Sequence, residues 1–138
     1  MIMSWICPNC GRSFRHPAQS HSCEIVSLEK HFVKRPPELK QVYDKLIKEI
    51  SAFGPLQINI LKNAITIAGK STFMAFKTRS EYAEIEILSD KEINEFPIYK
   101  TFRVSRSRVV LFIRVQFPDE IDVQLISWLK HAYEMVAS

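Results

Sequence analysis

The sequence predicts an α+β fold: an antiparallel sheet of about five or six strands packed by two main helices, preceded by a small N-terminal segment. Apolar residues recur at three- and four-residue steps over residues 37–53 and again after Pro118, which is typical of amphipathic helices. Between them, over residues 56–117, the apolar period is two and turn signals recur. Strands joined by short turns favour antiparallel pairing, and helices at both ends of such a run favour α+β over α/β.

The N-terminal segment, residues 1–26, contains all three cysteines and two of the four histidines of the chain, and few aliphatic side chains. So short and polar a segment cannot bury enough apolar surface to stay folded unaided. An odd number of cysteines in a reducing compartment is poorly explained by disulfides. A bound metal ion accounts for both features.

The spacing of these residues predicts a Zn²⁺ site with four protein ligands. Cys7 and Cys10 form a C-x2-C pair, whose two sulfurs can bind one ion. His21 and Cys23 supply the second pair, and His16 is an alternative to His21. Four protein ligands leave no coordination position for water or substrate, so the predicted zinc is structural and the segment is a zinc knuckle.

The rest of the chain, residues 27–138, is predicted to form one compact α+β unit. Leu28 and Phe32 lie four residues apart, which predicts one helical turn docked on the main body. The helix after it begins at Pro37, a residue suited to the first helical position. Its apolar stripe comprises Leu39, Val42, Tyr43, Leu46, Ile50 and Phe53.

Strands are predicted from the stretches LQINI, AITIAG and YAEIEIL within residues 56–88. Two further strands, near residues 98–104 and 108–117, are predicted to fold back on each other around the SRS sequence at 105–107. In the third stretch Ile85 and Ile87 alternate with glutamates, so one face of the sheet is expected to be covered and the other polar.

Two helices are predicted after these first strands. Ser89 followed by Glu92 is typical of a capping box and predicts a short helix around residues 90–96. The last helix is predicted to begin at Pro118, with acidic residues near its positive end. Its buried stripe comprises Ile121, Leu125, Trp128, Leu129, Ala132 and Val136.

The stretch from residue 99 to residue 115 contains five basic residues and no acidic one. Arg103, Arg106 and Arg108 are candidate phosphate contacts, because the planar guanidinium forms two parallel hydrogen bonds. Arg106 and Arg108 are expected at or beside the tip of the predicted hairpin, two residues apart and so on one face. The alternative is that they are solubilising charges on an edge hairpin. A second basic group, which together with the hairpin could form a nucleic-acid footprint, comprises Arg12, Arg15, Lys30, Lys34 and Arg35.

Glu84 and Glu86 lie two apart on one strand and are either an acid pair or partners in salt bridges. Salt bridges across the sheet to Lys70, Lys77 or Arg114 are favoured, because no second group that would set a catalytic pKa is evident. Ser105 and Ser107 likewise have no base at a suggestive spacing, and His31 and His131 are expected to be packing or surface residues. No catalytic residue is predicted.

Composition and charge narrow the class of protein. The net charge of +4 permits an acidic partner without requiring one. The longest apolar run, residues 109–113, is far shorter than the roughly 20 residues that cross a bilayer. The N-terminus lacks the basic and apolar regions of a secretory signal, so a cytoplasmic location away from membranes is expected.

Several motifs in combination resemble a bacterial family known as the domain-of-unknown-function 5655 family, some members of which are loosely labelled predicted transport proteins. These are CPNCGRSF, QSHSC at 19–23, SLEKHFVKRPPEL at 27–39, FGP at 53–55 and WLKHAYE at 128–134. The resemblance covers nearly the whole chain and implies no reaction. Similar proteins have the C-x2-C and H-x-C pairs but need no histidine at the position of His16, which supports His21 as the ligand. Related domains fused to nuclease-like modules suggest nucleic-acid or defence contexts.

Three hypotheses for function follow. The first is a small, non-enzymatic binding or adaptor protein, in which zinc holds the N-terminal arm in a fixed shape for an unknown protein partner. The second is a nucleic-acid-associated protein that uses Arg103, Arg106 and Arg108 on phosphates. The third is an enzyme with a site on the sheet.

Overall fold

The computed structural model describes residues 27–137 and, before them, the backbone of two short strands. Strand β1 (Trp5–Ile6) pairs antiparallel with β2 (Ser13–Phe14), with Trp5 opposite Phe14. The predicted zinc ligands lie outside the described residues, so the knuckle stays a prediction. These residues are Cys7, Cys10, His21 and Cys23, together with the alternative ligand His16.

The segment that precedes the first α-helix forms a 3-10 turn over Leu28–His31, as the sequence predicts. Leu28 and Phe32 pack against the core. His31 is buried, and its Nε2 donates a hydrogen bond to the carbonyl of Leu61 at 2.7 Å. Lys34 follows with φ 58°, in the left-handed region, and reverses the backbone before the helix begins.

Helix α1 (Pro37–Ile50) has the predicted start, and its last predicted turn is a separate 3-10 turn over Ser51–Phe53. Proline is tolerated at the start because the first N–H groups of a helix have no intrahelical partner. The predicted apolar stripe is confirmed: it is buried except for Phe53, which is partly buried and packs against the core. The stripe residues that are buried are Leu39, Val42, Tyr43, Leu46 and Ile50.

The main sheet has six strands in the order β3-β4-β5-β6-β8-β7, and every neighbouring pair is antiparallel. The strands are β3 (Gln57–Ile60), β4 (Ile65–Ala68), β5 (Thr72–Thr78), β6 (Ala83–Ser89), β7 (Ile98–Ser105) and β8 (Arg108–Val115). This confirms the predicted sheet and the α+β class. The sheet and the two α-helices of the described residues form two layers.

Both helices pack on one face of the sheet, termed the covered face below. Phe76 on β5, Ile85 on β6 and Ile113 on β8 lie side by side there and are fully buried. Tyr43 of α1 contacts the Phe76 ring edge-on, with ring centroids 5.4 Å apart. The opposite face carries no helix from residues 27–137 and is termed the open face.

The predicted short helix around residues 90–96 is wrong. Those residues form bends and a turn, because the hydroxyl of Ser89 bonds to the backbone N–H and C=O of Lys91 instead of capping a helix. Serine often stabilises such local turns in preference to a helix. Ile93 in this segment still packs against the core.

The C-terminal element is also divided where the sequence predicts one helix. A 3-10 turn covers Pro118–Glu120, and α2 (Val123–Ala137) begins after it. Asp122 marks the break, since its Oδ1 accepts a hydrogen bond from the backbone N–H of Leu125 at 2.9 Å. The predicted stripe is buried at Ile121, Leu125, Leu129 and Ala132, and partly buried at Trp128 and Val136. Among the described helices, none is long and apolar enough to cross a bilayer.

Candidate ligand-binding surface on the open face

The open face carries polar and aromatic side chains, whereas the covered face is apolar, because successive side chains of a strand point to opposite sides. The part formed by strands β7 and β8, with the neighbouring side chains of β6, is termed the β7–β8 surface. Its rings are Tyr99, Phe102 and Phe112, and its cations are Lys100 and Arg114. Phe102 is 61% exposed and Tyr99 is 42% exposed. Such exposure of large rings beside cations is typical of a binding surface.

Glu84 is the buried centre of this surface, with only 7% exposure. Its Oε2 accepts a hydrogen bond from the Tyr99 hydroxyl at 2.5 Å and lies 4.0 Å from Nε of Arg114. Its Oε1 lies 3.6 Å from Nη2 of Arg79. A buried carboxylate needs such partners, because losing its hydration without replacement is costly. Glu84 therefore fixes the Tyr99 ring and holds two arginines beside it.

Arg114 lies over two tyrosine rings. Its guanidinium carbon is 4.2 Å from the centroid of Tyr99 and 4.9 Å from that of Tyr82. The contact with Tyr99 raises the pKa of the guanidinium, so Arg114 stays charged. Burial, and then the hydrogen bond to Glu84, raise the pKa of Tyr99, so its hydroxyl remains protonated near neutral pH. Lys100 extends the pattern, with Nζ 4.4 Å from the centroid of Phe112.

The interpretation of the two glutamates as salt-bridge partners is confirmed. Glu86 pairs with Lys77 across the sheet at 2.6 Å, and Glu84 pairs with Arg114 as described above. Lys70, the third partner considered, forms no ion pair with the described residues. Because each carboxylate is matched by a cation, the pair has the chemistry of a scaffold for the surrounding rings.

The predicted arginine group lies at one end of the β7–β8 surface. Arg106 is in the two-residue turn, and Arg108 begins β8. The Nη1 of Arg103 donates to the carbonyls of Ser105 and Arg106, at 3.2 and 3.1 Å. Nη1 of Arg108 donates to the carbonyl of Ser107 at 3.0 Å. A guanidinium has five donors, so both arginines brace the turn and keep N–H groups for a ligand.

The second basic group does not join the hairpin. Strand β6 pairs with β8 from Ala83 opposite Val115 to Ser89 opposite Val109, so the arginine tip lies at the Ser89 end. The segment before α1, residues 27–36, is termed the connector and lies at the Ala83 end, where the Thr78 hydroxyl donates to the carbonyl of His31. A strand of this length separates the two groups by roughly 20 Å. Lys30, Lys34 and Arg35 therefore form a group separate from the hairpin tip, Arg12 and Arg15 lie outside the described residues, and a footprint that spans both groups stays a prediction.

The two histidines expected to be packing or surface residues have those roles. His31 is buried in the connector, and Nε2 of His131 on α2 lies 3.1 Å from Oδ1 of Asp90. Ser105 and Ser107 are exposed at the hairpin turn. In the described part of the chain, no group of three or more histidine, cysteine or acidic side chains is placed to hold a metal ion.

Sequence reasoning missed Tyr82 and Tyr99 as parts of this surface. Tyr99 lies where the pairing of β7 with β8 shifts between Ile98 and Lys100, and this irregularity places its ring on the open face beside Phe112, at a centroid distance of 6.4 Å. Strand alternation alone does not show such a shift. The available signal was the acid-free run of aromatic and basic residues.

The chain is a two-layer α+β protein with a basic, aromatic open sheet face, and it belongs to a family described as Domain of unknown function (DUF5655). The family model matches residues 28–136, which cover α1, the six-stranded sheet and all but the last residue of α2. No curated protein and no solved structure matches the chain.

Proposed function

We propose that this protein is a non-enzymatic binding module and that the β7–β8 surface binds single-stranded nucleic acid. One observation supports the proposal above all. Two exposed rings, Tyr99 and Phe102, share residues 98–115 with five cations, and this stretch contains no carboxylate. The five cations are Lys100, Arg103, Arg106, Arg108 and Arg114.

Single strands suit this surface because their bases are free to stack. Tyr99 and Phe102 are exposed rings on the edge strand β7, and each base–aromatic stack contributes about 1–3 kcal/mol. The arginines at the hairpin tip supply forked donors for phosphate oxygens. A sheet whose exposed rings stack bases is a recurrent way to bind single-stranded RNA.

Glu84 supports the same use of the surface. The hydrogen bond to Glu84 holds Tyr99 in place, so little ring motion is lost when a base stacks on it. Arg114 lies on that ring and keeps its charge beside it. The ring and the cation are thus arranged before a ligand arrives.

The test is a titration of fluorescent oligothymidine and oligouridine with the full-length protein at several salt concentrations. Phe102→Leu keeps an apolar side chain but removes the ring, and is expected to weaken binding about fivefold to a hundredfold. Arg106→Ala is expected to weaken binding to both oligomers and to lower the salt dependence by about one unit of log–log slope. Lys130 is an exposed lysine of α2, so Lys130→Ala is the charge-matched control and is expected to leave affinity unchanged.

Two outcomes would contradict the proposal. One is the absence of binding at low salt, where counterion release favours complex formation most. The other is an equal loss of affinity in Arg106→Ala and Lys130→Ala, which indicates attraction to net charge alone.

A second proposal concerns the N-terminal arm: that it is a structural zinc knuckle which presents a fixed surface to a protein partner in the cytoplasm. Strands β1 and β2 support it, since their antiparallel pairing brackets the sequence that holds Cys7 and Cys10. Two cysteine sulfurs, a third from Cys23 and the imidazole of His21 are the donor set that zinc prefers. In this proposal the zinc would cross-link the N-terminal arm and would take no part in a reaction.

Zinc content measured by elemental analysis tests this proposal. Cys10→Ser is expected to lose zinc and the protease resistance of residues 1–26, while the main domain stays folded. His16→Asn is the matched control and is expected to keep zinc, whereas His21→Asn is expected to lose it. Full zinc content in Cys10→Ser would contradict the assignment.

A further inference from the structure

A second basic site lies at the end of the sheet opposite the arginine tip. A cavity of about 270 Å³ opens there between the connector, the β3–β4 turn and the β5–β6 turn. Within residues 27–137, four cationic side chains and no carboxylate line it. They are Lys30, Arg35, Lys62 and Arg79.

The fold brings these cations together from three distant parts of the sequence. Lys30 and Arg35 flank the left-handed residue Lys34, which reverses the backbone so that both line the same cavity. Lys62 lies in the turn after β3, and Arg79 follows β5. In an antiparallel sheet of this order those two turns lie at the same end.

Two hydrogen bonds tie the cavity wall to the sheet. Nε2 of His31 donates to the carbonyl of Leu61, and the hydroxyl of Thr78 donates to the carbonyl of His31. The connector is therefore anchored to both turns that contribute cations. Asn63 adds an amide group to the lining, which can donate to an anion.

The charges of the cavity are largely unmatched. Within residues 27–137, Lys30, Arg35 and Lys62 form no ion pair and no side-chain hydrogen bond. Arg79 has a single ion pair, with Glu84 at 3.6 Å. Like charges that converge without a counter-charge repel one another, and a bound anion removes that repulsion.

We propose that this cavity binds a phosphate group carried by a small molecule or present as the free ion. A phosphate monoester is close to a dianion at neutral pH and has three strong acceptor oxygens, which suit several converging donors. The cavity is slightly smaller than typical small-molecule sites of about 300–1,000 Å³, so the charged group itself is the part it encloses. The proposal does not depend on nucleic-acid binding: the cavity lies at the end of the sheet opposite the arginine tip, and of its four cations only Arg79 contacts the β7–β8 surface, through Glu84.

The test is calorimetric titration of the full-length protein with inorganic phosphate and, separately, with adenosine 5′-monophosphate. Lys62→Gln and Arg35→Gln keep side-chain length approximately and remove one charge each. Each is expected to weaken binding about tenfold or more, as the loss of a charge-assisted hydrogen bond predicts. Arg106→Gln removes the same charge at the opposite end and is expected to leave phosphate affinity unchanged.

A second readout separates a defined site from diffuse attraction. Backbone amide resonances of Lys62, Asn63 and Arg79 are expected to shift on titration, whereas those of Ser105 and Arg106 are not. If both inorganic phosphate and adenosine 5′-monophosphate shift these resonances, the site accepts phosphate monoesters. If inorganic phosphate alone shifts them, the site is specific for the free ion. No saturable binding, or equal weakening in Lys62→Gln and Arg106→Gln, would overturn the proposal.

Discussion

The two faces of the sheet use the same strands for different purposes. On β6, Ile85 and Ile87 point to the covered face and are fully buried, while Glu84 and Glu86, which alternate with them, point to the open face and pair with cations. The covered face gains stability by removing apolar surface from water. The open face keeps rings and charges available for a ligand. A substitution should therefore affect folding on one face and binding on the other.

The largest expected effect comes from a matched pair of phenylalanines. Phe76 is fully buried on the covered face, and Phe102 is 61% exposed on the open face. Phe76→Ala is expected to destabilise the protein by about 3–5 kcal/mol, since it leaves a cavity beside Tyr43. Phe102→Ala is expected to change the free energy of unfolding by no more than about 0.5 kcal/mol. Urea denaturation of both variants measures the difference, and similar losses in both would break the contrast between the faces.

An intermediate effect is expected at Glu84, where the open face has a buried residue of its own. Glu84→Ala removes the acceptor of the Tyr99 hydroxyl and leaves two arginines without their carboxylate. We expect a loss of about 1.5–3 kcal/mol, the range for a hydrogen bond to a charged group. Tyr99→Phe, which removes only the donor, serves as the control and should cost less. A destabilisation as large as that of Phe76→Ala would show that the open face also holds the fold together.

The smallest expected effect is a change in the pKa of Tyr99 on the open face, compared with the pKa of Tyr43 on the covered side. Burial, with Asp44 as a lesser cause, raises the pKa of Tyr43 on the covered side above 10.0. Burial, and then the hydrogen bond to Glu84, raise the pKa of Tyr99 on the open face. Glu84→Gln is therefore expected to lower the pKa of Tyr99 and to leave that of Tyr43 unchanged, as followed by NMR of labelled tyrosine rings.

The sign of the accompanying stability change follows from the direction of the shift. The folded protein holds the Tyr99 proton more tightly than the unfolded chain does, so this contribution is present below pH 10.0 and is lost as the pH rises through the raised pKa. Glu84→Gln should lose less stability than the parent protein over that alkaline interval. Parallel unfolding curves above pH 10.0 would contradict the proposed role of Glu84.

The sequence alone was sufficient to predict those helices and strands whose pattern of apolar residues is local. The stripe of α1, from Leu39 to Ile50, has the helical period and is buried as predicted. The alternation around Ile85 placed β6 correctly, with one covered face. Periodicity works here because each buried position follows from its neighbours along one helix or strand.

Two kinds of feature could not be predicted from the sequence: the outcome of competing local hydrogen bonds, and contacts between distant parts of the chain. Ser89 suits a helix cap and a tight turn equally, and its bonds to Lys91 decide for the turn. The cavity of Lys30, Lys62 and Arg79 depends on which turns share an end of the sheet, and that requires the strand order. The sequence placed Arg106 and Arg108 at or beside the hairpin tip, but the bonds of Arg103 to the turn carbonyls could be seen only in the structure.

The irregular pairing of β7 with β8 has a consequence for how copies of the protein meet at high concentration. Strand β7 is the last strand of the described sheet, and its register shifts twice, between Ile98 and Lys100 and between Arg103 and Ser105. Such shifts twist an outer strand so that a second molecule cannot align with it over its full length. Strand β7 can thus display Phe102 at this rim of the sheet without offering a regular template for strand addition by a second copy.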